Sequence, residues 1–118
     1  MVGMQPTDFD GAVPIDGYGP GFFRVGGQVH HGAIIVAASG MQAWVGLDDS
    51  QSLLELAGRV DILFLGMGAE IARPPEELTA KLAALGIMVE AMTTPSAARS
   101  YNVTLSEGRR VACALLAV

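Results

Sequence analysis

The side chains best suited to chemistry lie between Thr93 and Arg110, in a segment bounded by two apolar stretches. The segment gathers charged, aromatic and amide groups at Arg99, Tyr101, Asn102, Glu107, Arg109 and Arg110. Arginines of this kind can bind an anion, and the same polar groups can instead pin a helix to a sheet. A third interpretation is a solvated helix face with arginines at the negative helix end. The residue types leave all three open.

The more specific interpretation of this segment is a small polar cluster, and it depends on Asn102, Glu107 and Arg109. Asparagine is a poor residue for the middle of a helix because its amide competes for backbone hydrogen bonds. We therefore predict that the Asn102 amide bonds to a loop. We also predict an ion pair between Glu107 and Arg109 across the bend at Gly108.

Gly66 and Gly68, which follow a buried strand, form a second candidate site with Thr93 and Thr94. Strand ends in an open α/β sheet can hold a small anion against a helix N-terminus, here the one predicted at Thr94. The glycine fingerprint of a dinucleotide site is incomplete, because Ile71 stands where the third glycine is required. We therefore predict no nucleotide cofactor.

Metal and nucleophile signals are weak. His30 and His31 are adjacent, so on a strand they point to opposite faces and cannot bind one metal ion together. Cys113 lies between two alanines in an apolar run, which is typical of a buried small hydrophobe. No serine stands in a nucleophile elbow. We predict no metal, no cofactor and no catalytic residue.

The predicted helices and strands that position these residues differ between the two halves of the chain. Glycines and prolines in the first 30 residues favour short strands, with a hairpin from Phe22 to Val29 that turns at Gly26-Gly27. A buried strand at 33–37, which we expect to be central, and another at 41–45 follow. Beyond Ser50 the pattern alternates between helix and strand. The predicted segments are a helix from Ser50, a strand at 61–65, a helix after Pro75, a buried strand at 87–89, a helix whose apolar stripe is Ala97, Ala98, Tyr101 and Leu105, and a strand at 111–118.

This order predicts a single three-layer α/β domain over residues 15–118, preceded by an extension, residues 1–14. Helices cover a mostly parallel central sheet, and the glycine-rich strands form an additional small β layer. The parallel strands are expected to run through Ile35, Leu63 and Val89. The predicted core residues are Ile35, Leu63, Phe64, Val89, Leu105 and Leu115.

Composition limits the classes of function. Seven basic against twelve acidic residues give a net charge of -5, which disfavours binding to nucleic acid. With 51% hydrophobic residues and a mean hydropathy of +0.43, the chain is expected to fold and is a candidate for self-association as a homo-oligomer. No apolar run approaches the roughly 20 residues of a transmembrane helix. An N-terminus without a basic region and the single Cys113 lead us to expect a cytoplasmic protein.

The motifs of the C-terminal half are recognisable together. They are Gly66–Gly68, Val89–Thr94, Ser100–Val103 and Glu107–Ala112. The chain resembles the uncharacterised-domain family that includes mitochondrial complex I (NADH:ubiquinone oxidoreductase) assembly factor three and an adipogenesis-associated protein. The resemblance runs from about Ile15 to Leu116.

This resemblance implies a three-layer fold with a mixed sheet whose last strand, 111–118 here, is antiparallel to the others. It implies no catalytic residues, and for the mitochondrial relative a role in contacting subunits and a partner factor during assembly of a membrane complex. Thr93 stands where relatives often carry aspartate, which weakens any proposal of a carboxylate base there.

We therefore expect a non-enzymatic interaction or assembly factor whose protein partners include subunits of a respiratory membrane complex. The alternative is a small-anion or small-molecule binding protein, or an enzyme, with its site at the strand ends. A filled sheet edge favours the first hypothesis, and an open polar cleft favours the second. The candidate binding or polar-cluster residues are Gly66, Gly68, Thr93, Thr94, Tyr101, Asn102, Glu107 and Arg109.

Overall fold

The computed structural model describes residues 13–118, which form eight strands and three helices. The strands are β1 (Ile15–Gly19), β2 (Phe22–Val25), β3 (Gln28–His31), β4 (Ile34–Ala37), β5 (Gly40–Ala43), β6 (Ile62–Gly66), β7 (Met88–Met92) and β8 (Val111–Leu115). The helices are α1 (Ser50–Leu54), α2 (Glu76–Ala84) and α3 (Thr94–Ser106). None of these described helices is long and apolar enough to cross a membrane.

The strands form two sheets, as the sequence predicts. Strands β1, β2 and β3 make a small antiparallel sheet, in which β2 and β3 are the hairpin that turns at Gly26-Gly27. The other five strands form a mixed sheet in the order β5-β4-β8-β6-β7. The predicted fold class is confirmed: a single α/β domain with a central mixed sheet, helices on its faces and an additional small N-terminal β layer.

The predicted strand directions need correction. Strand β8 runs parallel to β6, which in turn runs parallel to β7, so the last strand is not antiparallel to the others. The antiparallel strand is β4, which lies between β8 and β5 and pairs antiparallel with both. Helical crossovers through α2 and α3 make β6, β7 and β8 parallel, whereas the tight turn after Ala37 reverses the chain into β5. The central strand is therefore β8, and the strand through Ile35 is not part of the parallel core.

Each face of the mixed sheet has its own hydrophobic core. Alternate residues of β8 divide between the faces: Cys113 and Leu115 pack towards α3 and the small sheet, and Ala112 and Ala114 pack towards α1 and α2. Strand β8 is buried on both faces, which explains its continuous apolar sequence. The molecule thus has its mixed sheet as a middle layer.

Five of the six predicted core residues are buried, and the exception is Val89, which is half-buried. The sequence predicts a buried strand at 87–89, and this prediction is wrong, because β7 is an edge strand with Met88 57% exposed. The predicted stripe of α3 is confirmed in full, with all four residues buried. Residues 1–12 of the predicted extension lie outside the described residues, so the domain boundary stays a prediction.

Candidate functional site

Gly66 and Thr94 approach each other closely where β6 ends and α3 begins. A Cβ atom built on Gly66 would lie 2.8 Å from both Cα and Oγ1 of Thr94, and 2.8 Å from Cδ2 of Leu115. Atoms in real structures do not come so close without a shift of the backbone. A glycine is required at this position because the helix start leaves no room for a side chain.

The hydroxyl and amide of Thr94 connect the same strand ends. Its Oγ1 accepts a hydrogen bond from the Gly68 amide at 2.9 Å and donates one to the Leu116 carbonyl at 2.7 Å. The Thr94 amide donates to the Gly68 carbonyl at 2.8 Å. Thr94 is fully buried, and Thr93, the N-cap, is half-buried and makes no side-chain cap bond. The chain's own atoms therefore use the polar groups of Thr94 and Gly68 at this sheet edge.

Tyr101 and Asn102 attach the beginning of the described chain to α3. The Asn102 amide makes two bonds with Ile15, accepting from its N–H at 2.8 Å and donating to its carbonyl at 2.7 Å. The Tyr101 hydroxyl donates to the Val13 carbonyl at 2.8 Å. Burial raises the pKa of Tyr101, so the phenol stays protonated and able to donate. The amide binds backbone as predicted, although its partner is the first residue of β1 and not a loop.

The predicted ion pair between Glu107 and Arg109 is wrong. Both side chains are exposed, and among the described residues neither joins a salt bridge. The neighbouring Arg110 instead reaches the loop before β6, where its Nη2 lies 2.7 Å from Oδ1 of Asp61. The left-handed bend at Gly108, with φ +82°, turns the chain so that Arg110 faces that loop. The Arg110 hydrogen bond holds the pKa of Asp61 below its ordinary value, and the charge of Arg109 adds a smaller effect.

Two open cavities adjoin at Arg109. The first, of about 350 Å³, is lined by Arg59, Arg109 and Arg110 above apolar residues that include Val60 and Leu105. The second, of about 370 Å³, lies between α3 and the strands β6 and β7. It is lined by Arg99, Arg109, Glu90, Ser100, Val103, Thr104, Ile62 and Phe64. We name the two cavities together the basic groove, defined by its arginines Arg59, Arg99, Arg109 and Arg110.

The eight candidate residues thus fall into three separate places. Gly66, Gly68, Thr93 and Thr94 meet at the strand ends. Tyr101 and Asn102 face the small sheet, while Glu107 and Arg109 follow the far end of α3. Arg59, which lines the first cavity, is not among the site residues predicted from the sequence. Nothing in the local sequence could reveal it, because only the fold brings the residue after α1 beside the turn after α3.

Cys113 and the two histidines lie outside the three places described above. Cys113 is fully buried, and burial raises the pKa of its thiol, so the reactive thiolate is disfavoured. His30 and His31 lie in the hairpin strand β3, where His31 is exposed and its ring centroid lies 6.4 Å from that of Phe22. Within residues 13–118 no three His, Cys, Asp or Glu side chains are grouped so that they could hold a metal ion.

Comparison with known proteins gives a clear family. The model of the family described as "Protein of unknown function (DUF498/DUF598)" matches residues 15–116. An uncharacterized protein of Rhodobacter capsulatus is 58% identical over 115 residues, which cover 96% of this chain and 93% of that protein. A zebrafish (Danio rerio) protein named NADH dehydrogenase [ubiquinone] 1 alpha subcomplex assembly factor 3 is 29% identical, over 96% of this chain and 68% of its own.

A solved structure agrees with the fold. The crystal structure of an outer membrane protein from Bartonella henselae superposes with a TM-score of 0.84 and 38% sequence identity, covering 94% of this chain and 99% of that one. The resemblance expected from the C-terminal motifs is therefore confirmed by both the family match and the assembly-factor relative. This chain belongs to the DUF498/DUF598 family.

Proposed function

We propose that this chain is a non-enzymatic protein-interaction factor that acts in the cytoplasm during assembly of a respiratory membrane complex. Many open α/β sheets bind ligands at the carboxyl ends of their strands. The observation that carries the proposal is that polar groups at this place are already bonded within the chain. There the amide and hydroxyl of Thr94 already bond to Gly68 and Leu116. An anion at this sheet edge would have to displace these bonds of Thr94 and Gly68.

The relatives support the same proposal. A protein named as an assembly factor of NADH dehydrogenase is 29% identical over almost all of this chain. The alternative, a small-anion or enzymatic site at the strand ends, has less support. Its backbone donors are occupied at Thr94 and Gly68, and Thr93 offers no carboxylate for proton transfer.

Affinity capture tests the proposed function. The tagged chain is incubated with detergent-solubilised membranes of Rhodobacter capsulatus, which carries a relative 58% identical. We expect subunits of one respiratory complex to be enriched over an unrelated tagged domain of similar size and acidity. Capture of no membrane-complex subunit by the folded chain contradicts the proposal. Turnover of a small molecule by the purified chain contradicts its non-enzymatic part.

A further inference from the structure

Basic residues are unevenly distributed in this acidic chain. The whole chain has seven Lys and Arg and a net charge of -5. Four of the seven line the basic groove, namely Arg59, Arg99, Arg109 and Arg110. A local concentration of positive charge on an acidic protein attracts an acidic ligand to one place and repels it elsewhere.

The helix end beside the groove does not need these arginines. The Gly108 amide donates to the Leu105 carbonyl at 3.0 Å, and the Arg109 amide donates to the Thr104 carbonyl at 3.3 Å. This is the Schellman arrangement, in which backbone amides satisfy the last carbonyls of a helix. Within residues 13–118 the Arg109 guanidinium has no hydrogen-bond partner of its own. Its charge is therefore available to a ligand.

The remaining arginines of the groove are partly engaged. Arg110 is paired with Asp61, and Arg59 donates from Nη2 to the Ser39 hydroxyl at 3.1 Å. The Asp61 carboxylate neutralises the charge of Arg110, whereas the uncharged Ser39 hydroxyl leaves the charge of Arg59 in place. In the described part of the chain, three positive charges, at Arg59, Arg99 and Arg109, thus remain against the carboxylate of Glu90 in the second cavity.

The second cavity lies where α3 covers the edge strand β7 less fully than it covers β6 and β8. Val103 of α3 is 53% exposed, and Met88 of β7 is 57% exposed. Met88 lies on the same sheet face as Glu90, which lines the cavity, because side chains two apart in a strand share a face. The groove therefore combines spaced positive charges with apolar surface.

We propose that the basic groove binds an extended acidic segment of a partner protein, with carboxylates at Arg99 and Arg109 and an apolar side chain against Val103. The proposal rests on the proposed function and identifies the surface that carries it. Two adjoining open cavities that share Arg109 suit a chain that passes along both, whereas a single small anion would meet only part of the charge. A nucleic acid would extend beyond the groove onto the acidic remainder of the molecule, whereas a short acidic segment can stay within the groove.

Peptide titration tests the groove with the full chain. The probe is a short fluorescein-labelled peptide in which glutamate alternates with leucine, and the matched peptide carries glutamine for glutamate. We expect the glutamate peptide to bind by anisotropy and the glutamine peptide not to bind. Arg109→Glu and Arg99→Glu each weaken binding by about tenfold or more. Arg73→Glu, an exposed arginine outside the groove, changes the net charge equally and leaves binding unaltered.

Several outcomes overturn the proposal. They are no binding of the glutamate peptide, equal binding of the two peptides, and equal weakening by Arg73→Glu and Arg109→Glu. Inorganic phosphate is titrated separately while the NMR signals of the arginine side chains are recorded. If phosphate shifts the Arg99 and Arg109 signals and the peptide does not, the groove is a small-anion site. The melting temperature of each variant is compared with that of wild type. Equal values show that a loss of binding does not come from unfolding.

Capture from membranes separates the two proposals. If the wild-type chain and Arg109→Glu capture the same membrane-complex subunits equally, the groove proposal fails and the proposed function stands. If the glutamate peptide binds in the groove but the wild-type chain captures no such subunit, the proposed function fails and the groove stands.

Discussion

The close contact between Gly66 and Thr94 is the tightest constraint at the level of single residues. Because an added Cβ would meet the Thr94 backbone at 2.8 Å, Gly66→Ala must displace the start of α3. We expect a loss of about 1–3 kcal/mol in the free energy of unfolding, as for other overpacked sites. Chemical denaturation measures this loss.

Gly17→Ala is the matched control, because no atom lies within 4 Å of a Cβ built at Gly17. We expect this variant to differ from wild type by no more than about 0.5 kcal/mol. Equal stability of Gly66→Ala and Gly17→Ala would show that the contact at the strand end is loose.

Asn102 and Arg109 lie on the same short segment but are expected to respond differently to truncation. Asn102→Ala removes two hydrogen bonds from the backbone of the buried Ile15, so we predict a loss of about 1–3 kcal/mol in stability. Arg109→Ala removes an exposed side chain without an internal partner in the described chain, so we predict a change within about 0.5 kcal/mol. Thermal denaturation of both variants measures the difference. A stable Asn102→Ala, or an early-melting Arg109→Ala, would reverse the two assignments.

At the level of elements, Asp61 and Arg110 join the starts of β6 and β8. The Asp61 amide donates to the Arg110 carbonyl at 2.9 Å, and their side chains form the exposed salt bridge. Because the pKa of Asp61 is lowered in the folded chain, its stabilising effect is present above the ordinary aspartate value of 3.8 and disappears as the pH falls through the lowered pKa.

We therefore predict that Asp61→Asn lowers the melting temperature at about pH 7, and that this difference shrinks progressively as the pH falls below 3.8. Melting temperatures across a pH series test this expectation. Asp48→Asn, which changes another exposed aspartate, serves as the control. A difference between wild type and Asp61→Asn that stays constant over the whole series contradicts the prediction.

The sequence predicts individual helices and strands better than it predicts which strands lie side by side and in which direction they run. The stripe of α3 recurs at helical spacing, and the hairpin turn at Gly26-Gly27 is local, so both could be foreseen. The edge position of β7 and the reversed direction of β4 could not, because strand order depends on contacts between distant segments. The basic groove could not be predicted for the same reason, because Arg59 and Arg109 come together only in the folded chain.

At the scale of the whole molecule, polar side chains do two different tasks. Thr94 and Asn102 are used inside the fold, where they connect α3 to both sheets. The arginines of the basic groove lie at the surface, and among residues 13–118 only Arg110 has an acidic partner there. The pattern predicted from residue types, one polar cluster after Thr93, is thus divided by the fold into internal supports and an exposed charged surface.

The edge strand β7 gives the whole molecule a surface for self-association. Its outer backbone groups are unpaired within the described sheet, and Met88 and the nearby Leu85 are 57% and 46% exposed. An exposed edge with apolar side chains can pair with a second copy. We predict that light scattering at high concentration gives a mass above that of the 12.2 kDa monomer.

Met88→Lys tests whether this edge forms the contact, because lysine on an edge strand opposes strand pairing. We predict that Met88→Lys returns the chain to the monomer, whereas Val29→Lys, at an exposed position of the small sheet, leaves the association unchanged. A wild-type mass of 12.2 kDa at every concentration rules out self-association. An oligomer that survives Met88→Lys but dissociates with Val29→Lys moves the contact from β7 to the small sheet.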